Sequence, residues 1–520
     1  MSTLAELRSR PTVVDGAKAE RDLELDAEVC VIGSGAGGAI VAATLAERGR
    51  AVVVLEEGGF PTHLDFTMRE ADVVPRLYQE SATRATADGG ISILQGRSVG
   101  GTTVVNWTTS FRTPSDVVDH WRKRHAVGGF AYADLEPHYA WIEDRLSIQK
   151  VPLDGMNRNN KTLYDGCARL GWQPDTLKRN VHRCLQTGFC HLGCPVNAKR
   201  SMLVTLVPDA LEAGARLVYR ARVDTLERKG AEIVAAHASL LGDDGRTPTG
   251  KKLRVKARRF VTSGGAINSP ALLLRSGISD EGRVGARTFL HPVIGNAALF
   301  DEPVEPYRGA PQSAACHHFA HRGDEVGFFL EAAPWYPALA STAAPGRGAT
   351  HAAFMQRTRF VALHIALAID GFHDEVPGGR VTLRPSGAPV VDYPIPDALW
   401  RTFRFAQKKL AELAFAAGAR EVMTLHDTPV WMRGAVDEAA IDAAPWRVGS
   451  MPVFTAHQMG GCRMGDDPKD AVVRSQDLRH HVITNLHVVD GSVFPTSLGV
   501  NPQQSIYGLA RLAATRIAEG

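Results

Sequence analysis

The sequence predicts an α/β protein, α+β overall, in which a Rossmann-like dinucleotide-binding domain built from separate stretches carries a smaller sheet-plus-helix domain. Three observations support this. The stretch EVCVIGSGAGGAIVAATLAERGRAVVVLE, Glu28 to Glu56, runs apolar strand, glycine cluster, alanine-rich helix, second strand. Strand, turn and helix patterns return at 200–298 and again from 455 to 520. Between them, 299–454 changes to short extended runs and one long amphipathic helix. At 520 residues the chain exceeds a single core. The expected division is a discontinuous dinucleotide-binding domain (26–110, 200–298 and 455–520), connecting and cap segments with a cysteine group (111–199), and a substrate-binding domain (299–454).

Residues 1–25 read as an arm or strand ahead of the first βαβ unit. In that unit Gly33, Ser34, Gly35 and Gly38 spell G-x-G-x-x-G. Gly33 permits the tight turn, Gly35 lets backbone approach a pyrophosphate, and Gly38 lets helix pack on strand. The helix N-terminus then offers unpaired N–H groups and a positive dipole end to the phosphates. Glu56 follows Gly38 by 18 residues, at the tip of the second strand, where its carboxylate can accept ribose hydroxyls and repel a 2′-phosphate. The unit leaves nicotinamide and flavin both open.

Residues 86–107, TADGGISILQGRSVGGTTVVNW, combine two Gly-Gly pairs with Arg97, threonines and Asn106, a loop rich in donors that can line an extended cofactor. From Trp121 to Lys150 the pattern is helical, with Tyr132, Leu135, Tyr139, Ile142 and Leu146 on one face. Helix then strand follow from Ser201, and KKLRVKARRFVTSGG with SPALLLRSG reads strand, glycine turn, helix. The runs VGFFLEA, FVALHIALAI and GRVTLRPSG, with a helix at Leu399 to Ala417, suit a domain that covers a substrate.

Composition removes several function classes. Net charge is +3 with 22% charged residues, so no field draws a polyanion, and the basic KKLRVKARRF alternates as a half-solvated strand; nucleic acid is excluded as a partner. The N-terminal stretch lacks the apolar core of a signal peptide, and no run reaches the roughly 18 apolar residues of a transmembrane segment. Seven cysteines, an odd number, do not make a disulfide framework, and a reducing, cytoplasmic setting is expected.

At the C-terminal end His457 opens HQMGGCRMGDD, and Asn501 precedes Pro502 and a helix whose apolar face carries Ile506, Leu509, Ala513 and Ile517. Pro502 suits the first helical position and Asn501 the N-cap. The chemical reading is a buried helix N-terminus aimed at a group that becomes anionic, such as a reduced flavin, with a histidine beside it. Oxidising an alcohol by hydride transfer also releases the hydroxyl proton. A histidine near its ordinary value of about 6.5 is a natural base, and asparagine can orient the oxygen.

These motifs together resemble the glucose-methanol-choline (GMC) oxidoreductase family: VIGSGAGG with LEEGG, GRSVGGTTVVNW, GAINSPALLLRSG, HQMGGCRMG and NLHVVDGSVFPTSLGVNPQQSI, in that order. Within it, ILQGRSVGGTTVVNW, GFCHLGCPVNAKRSMLVTLVPDA and AHQMGGCRMG resemble the long-chain alcohol oxidase branch. The resemblance implies FAD, an alcohol donor that is largely apolar, and oxygen or another electron acceptor. It implies His457 as the catalytic histidine and Asn501 as its partner. It places Val223 near adenine, Gly100, Gly101, Thr102 and Asn106 along the flavin, and Asp490 and Gly491 near the ribityl and pyrophosphate. Val105 stands where some members carry a flavin-linked histidine, which implies noncovalent FAD. Cys184, Cys190 and Cys194, spaced C-x5-C-x3-C before Pro195, also resemble a three-iron-cluster group of bacterial sugar dehydrogenases of this family, so a dehydrogenase that passes electrons to an external acceptor is an alternative. A non-redox flavin lyase of the same family is another.

Overall fold

The computed structural model describes residues 2–519 and holds two large sheets. The first has eight strands. Its parallel core runs, in spatial order, Val13–Asp15, Arg216–Tyr219, Val52–Glu56, Leu23–Ile32 and Pro248–Thr262. Val52–Glu56 is buried along its whole length, as a parallel strand covered on both faces must be. The long strand Pro248–Thr262 pairs with Leu23–Ile32 on one edge. On the other edge its first half meets Glu232–Leu241 antiparallel, while its end meets Leu486–Val488 in parallel. Strand ends from three distant parts of the chain thereby gather around the glycine loop. Burial along 251–260 alternates, as the basic pattern predicts.

Helix Gly38–Glu47 packs on this sheet, and the closing helix Gln503–Glu519 packs on that helix. The helical reading of 121–150 needs correction. Two helices, Ser115–Arg124 and Tyr132–Arg145, are followed by a strand, Ile148–Lys150. Ala126, at φ 50°, turns the chain between them. Leu135, Tyr139, Ile142 and Leu146 are nonetheless buried.

The second sheet has nine strands. Its central run is antiparallel: Glu421–Thr424, Val293–Leu299, Val361–Ala368, Phe328–Ala333 and Ala314–Cys316. Helices Arg158–Arg169 and Asp397–Ala416 pack against it. Val293–Leu299 enters this sheet inside the segment expected for the dinucleotide domain, and the short strands Ser92–Ile93 and Asp175–Thr176 reach it from outside 299–454. Phe454–Thr455 pairs with the start of Val293–Leu299 on one side and with Ser92–Ile93 on the other, and delivers the chain to His457. Among the described residues no helix is long and apolar enough to cross a membrane.

Candidate active site

One cavity of about 690 Å³ lies between the two sheets and follows the glycine loop to His457 and Asn501. At the glycine loop, Gly33 has φ 99°, open to glycine and strained for other residues. Gly33 and Gly35 line the wall; Ser34 and Gly38 do not. Gly38 lies against Gly33, where any Cβ would strike the Gly33 carbonyl oxygen. Ser34 is fully buried and ties the elements together. Its N–H and Oγ donate to Glu56 Oε2 at 3.0 and 2.6 Å, and its Oγ accepts the Gly100 N–H at 3.0 Å. Gly100 is thus also behind the wall, while Gly101 and Thr102 reach it. A Cβ on Gly101 would stand 2.7 Å from Gly35 Cα, so the two glycine loops meet backbone to backbone.

Glu56 lines the cavity with its carboxylate already engaged, since Gly58 N–H donates to Oε1 at 2.8 Å beside the Ser34 bonds. Burial pushes its carboxyl above the ordinary value, and those hydrogen bonds oppose the shift. Oε2 is taken up by the two Ser34 bonds, and Oε1, with one, retains a lone pair for a hydroxyl. Glu57, its neighbour in LEEGG, also faces the cavity and lies 3.7 Å from Arg97, which donates to Gly245 O. Val223 lines the same region.

Asp490 lines the cavity and accepts three hydrogen bonds from the chain. Gly265 N–H and Ser269 Oγ donate to Oδ2 at 2.8 and 2.5 Å, and Ser492 N–H donates to Oδ1 at 2.8 Å. It fixes the start of helix Gly265–Arg275 and positions Gly491 on the wall. Asn106 Nδ2 donates to Gln503 Oε1 at 2.5 Å, joining its loop to the closing helix. That loop is held from behind by the buried ammonium of Lys199, which donates to Val104 O, Asn106 O and Cys190 O at 2.6–2.7 Å. Pro502 is on the wall, but the helix begins one residue later than expected, at Gln503, with Ile506 N–H donating to Pro502 O.

At the far end the His457 and Asn501 side chains meet, Asn501 Nδ2 lying 3.3 Å from His457 Nε2. The amide that a capping role would turn toward the helix is turned toward histidine. His457 N–H donates to Thr455 Oγ1 at 3.1 Å, and burial holds its imidazole down at about 4. A third residue, absent from the sequence reading, completes the group. His291 Nδ1 is 3.2 Å from His457 Nδ1, with the rings edge to face, and Gly499 N–H donates to His291 Nε2 at 3.1 Å. His291 sits at φ 43°, held there because Asp370 accepts the Leu290 and His291 N–H groups at 2.9 and 3.1 Å. His191, also unforeseen, lines the wall and stacks on Tyr336 with ring centroids 3.5 Å apart.

Cys184, Cys190 and Cys194 border a separate space of about 20 Å³, shared with Arg179 and Lys199. This is room for one water rather than a cluster. Gln186 N–H donates to Cys184 Sγ, and Arg179 donates to Cys190 Sγ. Among the described residues no three side chains form a metal-ligating group.

Comparison with known proteins gives these features a family. The chain is 35% identical over 496 residues to an uncharacterized GMC-type oxidoreductase of Mycobacterium tuberculosis, covering 94% of this chain and 75% of that one. A similar protein of Sinorhizobium fredii is 31% identical over 512 residues, covering 97% and 96%. A long-chain-alcohol oxidase of Arabidopsis thaliana is 27% identical over 514 residues, covering 95% and 67%. Among solved structures, pyridoxine 4-oxidase from Mesorbium loti shares the fold at TM-score 0.67 and 19% identity, over 95% of this chain and 99% of that one. Formate oxidase from Aspergillus oryzae does so at 0.63 and 15%, over 96% and 99%. With the N-terminal GMC oxidoreductase domain matching residues 74–293 and the C-terminal one residues 376–510, the chain belongs to the GMC oxidoreductase family.

Proposed function

We propose that this protein binds FAD noncovalently and oxidises the CH–OH group of a largely apolar alcohol to an aldehyde or ketone, with oxygen or another acceptor completing turnover. The observation that carries this reading is that His457 and Asn501 face the same cavity as the glycine fingerprint. The residues fit the cofactor. Gly35 and Gly101 present bare backbone to the cavity, where a pyrophosphate can approach, Glu56 Oε1 retains acceptor capacity for ribose, and Val223 offers an apolar wall for adenine. Val105, on the wall at the position implied for covalent attachment, has no nucleophile.

FAD, when bound, supplies the hydride acceptor at N5. The chain supplies the rest. His457, kept neutral by burial, takes the hydroxyl proton onto Nε2, while Asn501 holds the substrate oxygen. Trp107 and Phe454 give the cavity an apolar side near this pair, which supports an apolar substrate. His291 holds the back of the His457 ring, so the base has one orientation.

The test is anaerobic mixing of the yellow enzyme with dodecanol, benzyl alcohol or pyridoxine. Bleaching of the flavin, reversed by air or an added acceptor, is expected. An oxidised spectrum that persists while substrate is consumed would make the protein a lyase instead. Flavin that stays with acid-precipitated protein would overturn noncovalent binding.

A further inference from the structure

Two cations stand behind the loop 104–108, and the proposed reaction uses neither. Arg179 lies in strand Lys178–Asn180. Lys199 lies on the neighbouring run, where it bridges antiparallel to Val181, so the two side chains are diagonal neighbours on one face. Both are buried, at 2% and 3% exposure. Lys199 holds the Val104, Asn106 and Cys190 carbonyls. Arg179 Nε donates to Thr108 Oγ1 at 2.8 Å, and its Nη2 donates to Trp107 O at 3.5 Å and to Cys190 Sγ at 3.7 Å. Together they grip the back of a stretch whose front, Val105, Asn106, Trp107 and Thr108, lines the cavity.

These bonds satisfy the donors without cancelling the charge. Among the described residues neither cation is paired with a carboxylate. Burial lowers the Lys199 ammonium to about 8, so at neutral pH it stays charged beside a guanidinium that repels it. Burial also raises the Cys190 thiol, which leaves that contact neutral. Two nearby carboxyls do not compensate. Glu331, reached through Thr109 and Gln312 by hydrogen bonds of 2.6 Å each, is pushed up to about 8 by burial. Glu70 accepts the Ala338 and Leu339 N–H groups at 2.8 and 3.2 Å and faces His191. Two buried like charges without a counter-ion cost the folded chain stability. The same field favours a negative charge that forms in front of the wall.

We propose that Arg179 and Lys199 act through that wall on the cofactor, stabilising the negative charge that FAD gains with a hydride and so raising its reduction potential. This rests on the reading of the cavity as the FAD site. The charge follows from the balance of the reaction. The hydride carries two electrons and one proton, the hydroxyl proton goes to His457, and the flavin is left with one added negative charge. Arg179 and Lys199 touch neither flavin nor alcohol; their field favours the reduced form and leaves alcohol binding alone.

The test titrates holoenzyme with sulfite, which adds to flavin N5 and leaves a negative charge on the ring, and measures the flavin midpoint potential. Lys199→Gln and Arg179→Gln keep a donor for the loop without the charge, while Arg179→Lys keeps the charge without the fork. Each glutamine variant is expected to bind sulfite about tenfold more weakly than wild type, the scale of one unit charge felt through a peptide layer at an effective dielectric constant of about 20. The potential should fall by about 30 mV, the same tenfold for a two-electron couple. Arg179→Lys should stay within about threefold of wild type on the scale of that single-charge effect. Glutamine variants that lose flavin content or Tm, yet keep wild-type sulfite affinity in the flavin-bound fraction, would make the pair a structural tether and overturn the proposal. So would a wild type that binds sulfite no more tightly than free FAD, a reading that needs no variant. An ultraviolet thiolate band in wild type, lost in Cys190→Ser, would supply the missing counter-ion and overturn it as well. The sulfite and potential shifts without any alcohol oxidation would refute the function reading and leave the cationic wall in place.

Discussion

His457→Ala removes the proposed proton acceptor and both of its side-chain contacts, with Asn501 at 3.3 Å and His291 at 3.2 Å. A positioned base is worth about 10² to 10⁴ in rate, roughly 3 to 5 kcal/mol at about 1.4 kcal/mol per factor of ten. Flavin reduction by alcohol should slow by that factor, measured by anaerobic stopped-flow absorbance at matched flavin content. The pH profile gives an independent check. Burial lowers the imidazole from 6.5 to about 4, so the neutral, base-competent form persists through the range in which an exposed histidine becomes protonated. Reduction by wild type should be flat down to about pH 5, where roughly one molecule in ten is protonated, halve near pH 4, and fall about tenfold per unit below that. A His457→Ala rate within twofold of wild type would refute the base assignment. An acid limb centred at the ordinary histidine value would show that the imidazole is not desolvated as the structure requires.

Gly37→Ala would place a Cβ 1.8 Å from Val489 O, backbone that cannot yield locally. The expected outcome is loss of bound flavin, seen in the flavin-to-protein absorbance ratio, and a lower Tm from a destabilisation of about 1–3 kcal/mol; full occupancy at unchanged Tm would contradict the packing. The triple variant Cys184→Ser, Cys190→Ser, Cys194→Ser should leave the visible spectrum and iron content as in wild type. Iron or non-flavin absorbance present in wild type and lost in the variant would restore the cluster reading.

What could be read from the sequence and what could not divides along the range of the constraint. The Glu28 to Glu56 unit was legible because each requirement acts within about thirty residues: a positive φ at Gly33, a carboxylate at a strand tip. The contacts made by that carboxylate were not legible, because Ser34 and Gly58 reach it only once the loop has folded back. Capping preference alone would make Asn501 only a helix cap, because a local rule sees the helix that follows and not His457, which the folded chain presents across a 44-residue gap. Among the residues that sequence reading missed, Glu331 left a trace. It is a lone acid within FFLEAA, a run that the sheet buries completely, and an acid at such a position must be paired or neutral. His291 left less, because LHPV acquires meaning only when Asp370, 79 residues on, pins the turn that aims the ring. Glu331 lies in the nine-stranded sheet and His291 just ahead of its strand Val293–Leu299, whereas Asn501 stands ahead of the closing helix Gln503–Glu519. The proposed base therefore stands between Asn501, which leads into the closing helix, and His291, which leads into the nine-stranded sheet. If His457 is the base, a change in how the second sheet packs would reach it through His291 without touching the glycine loop.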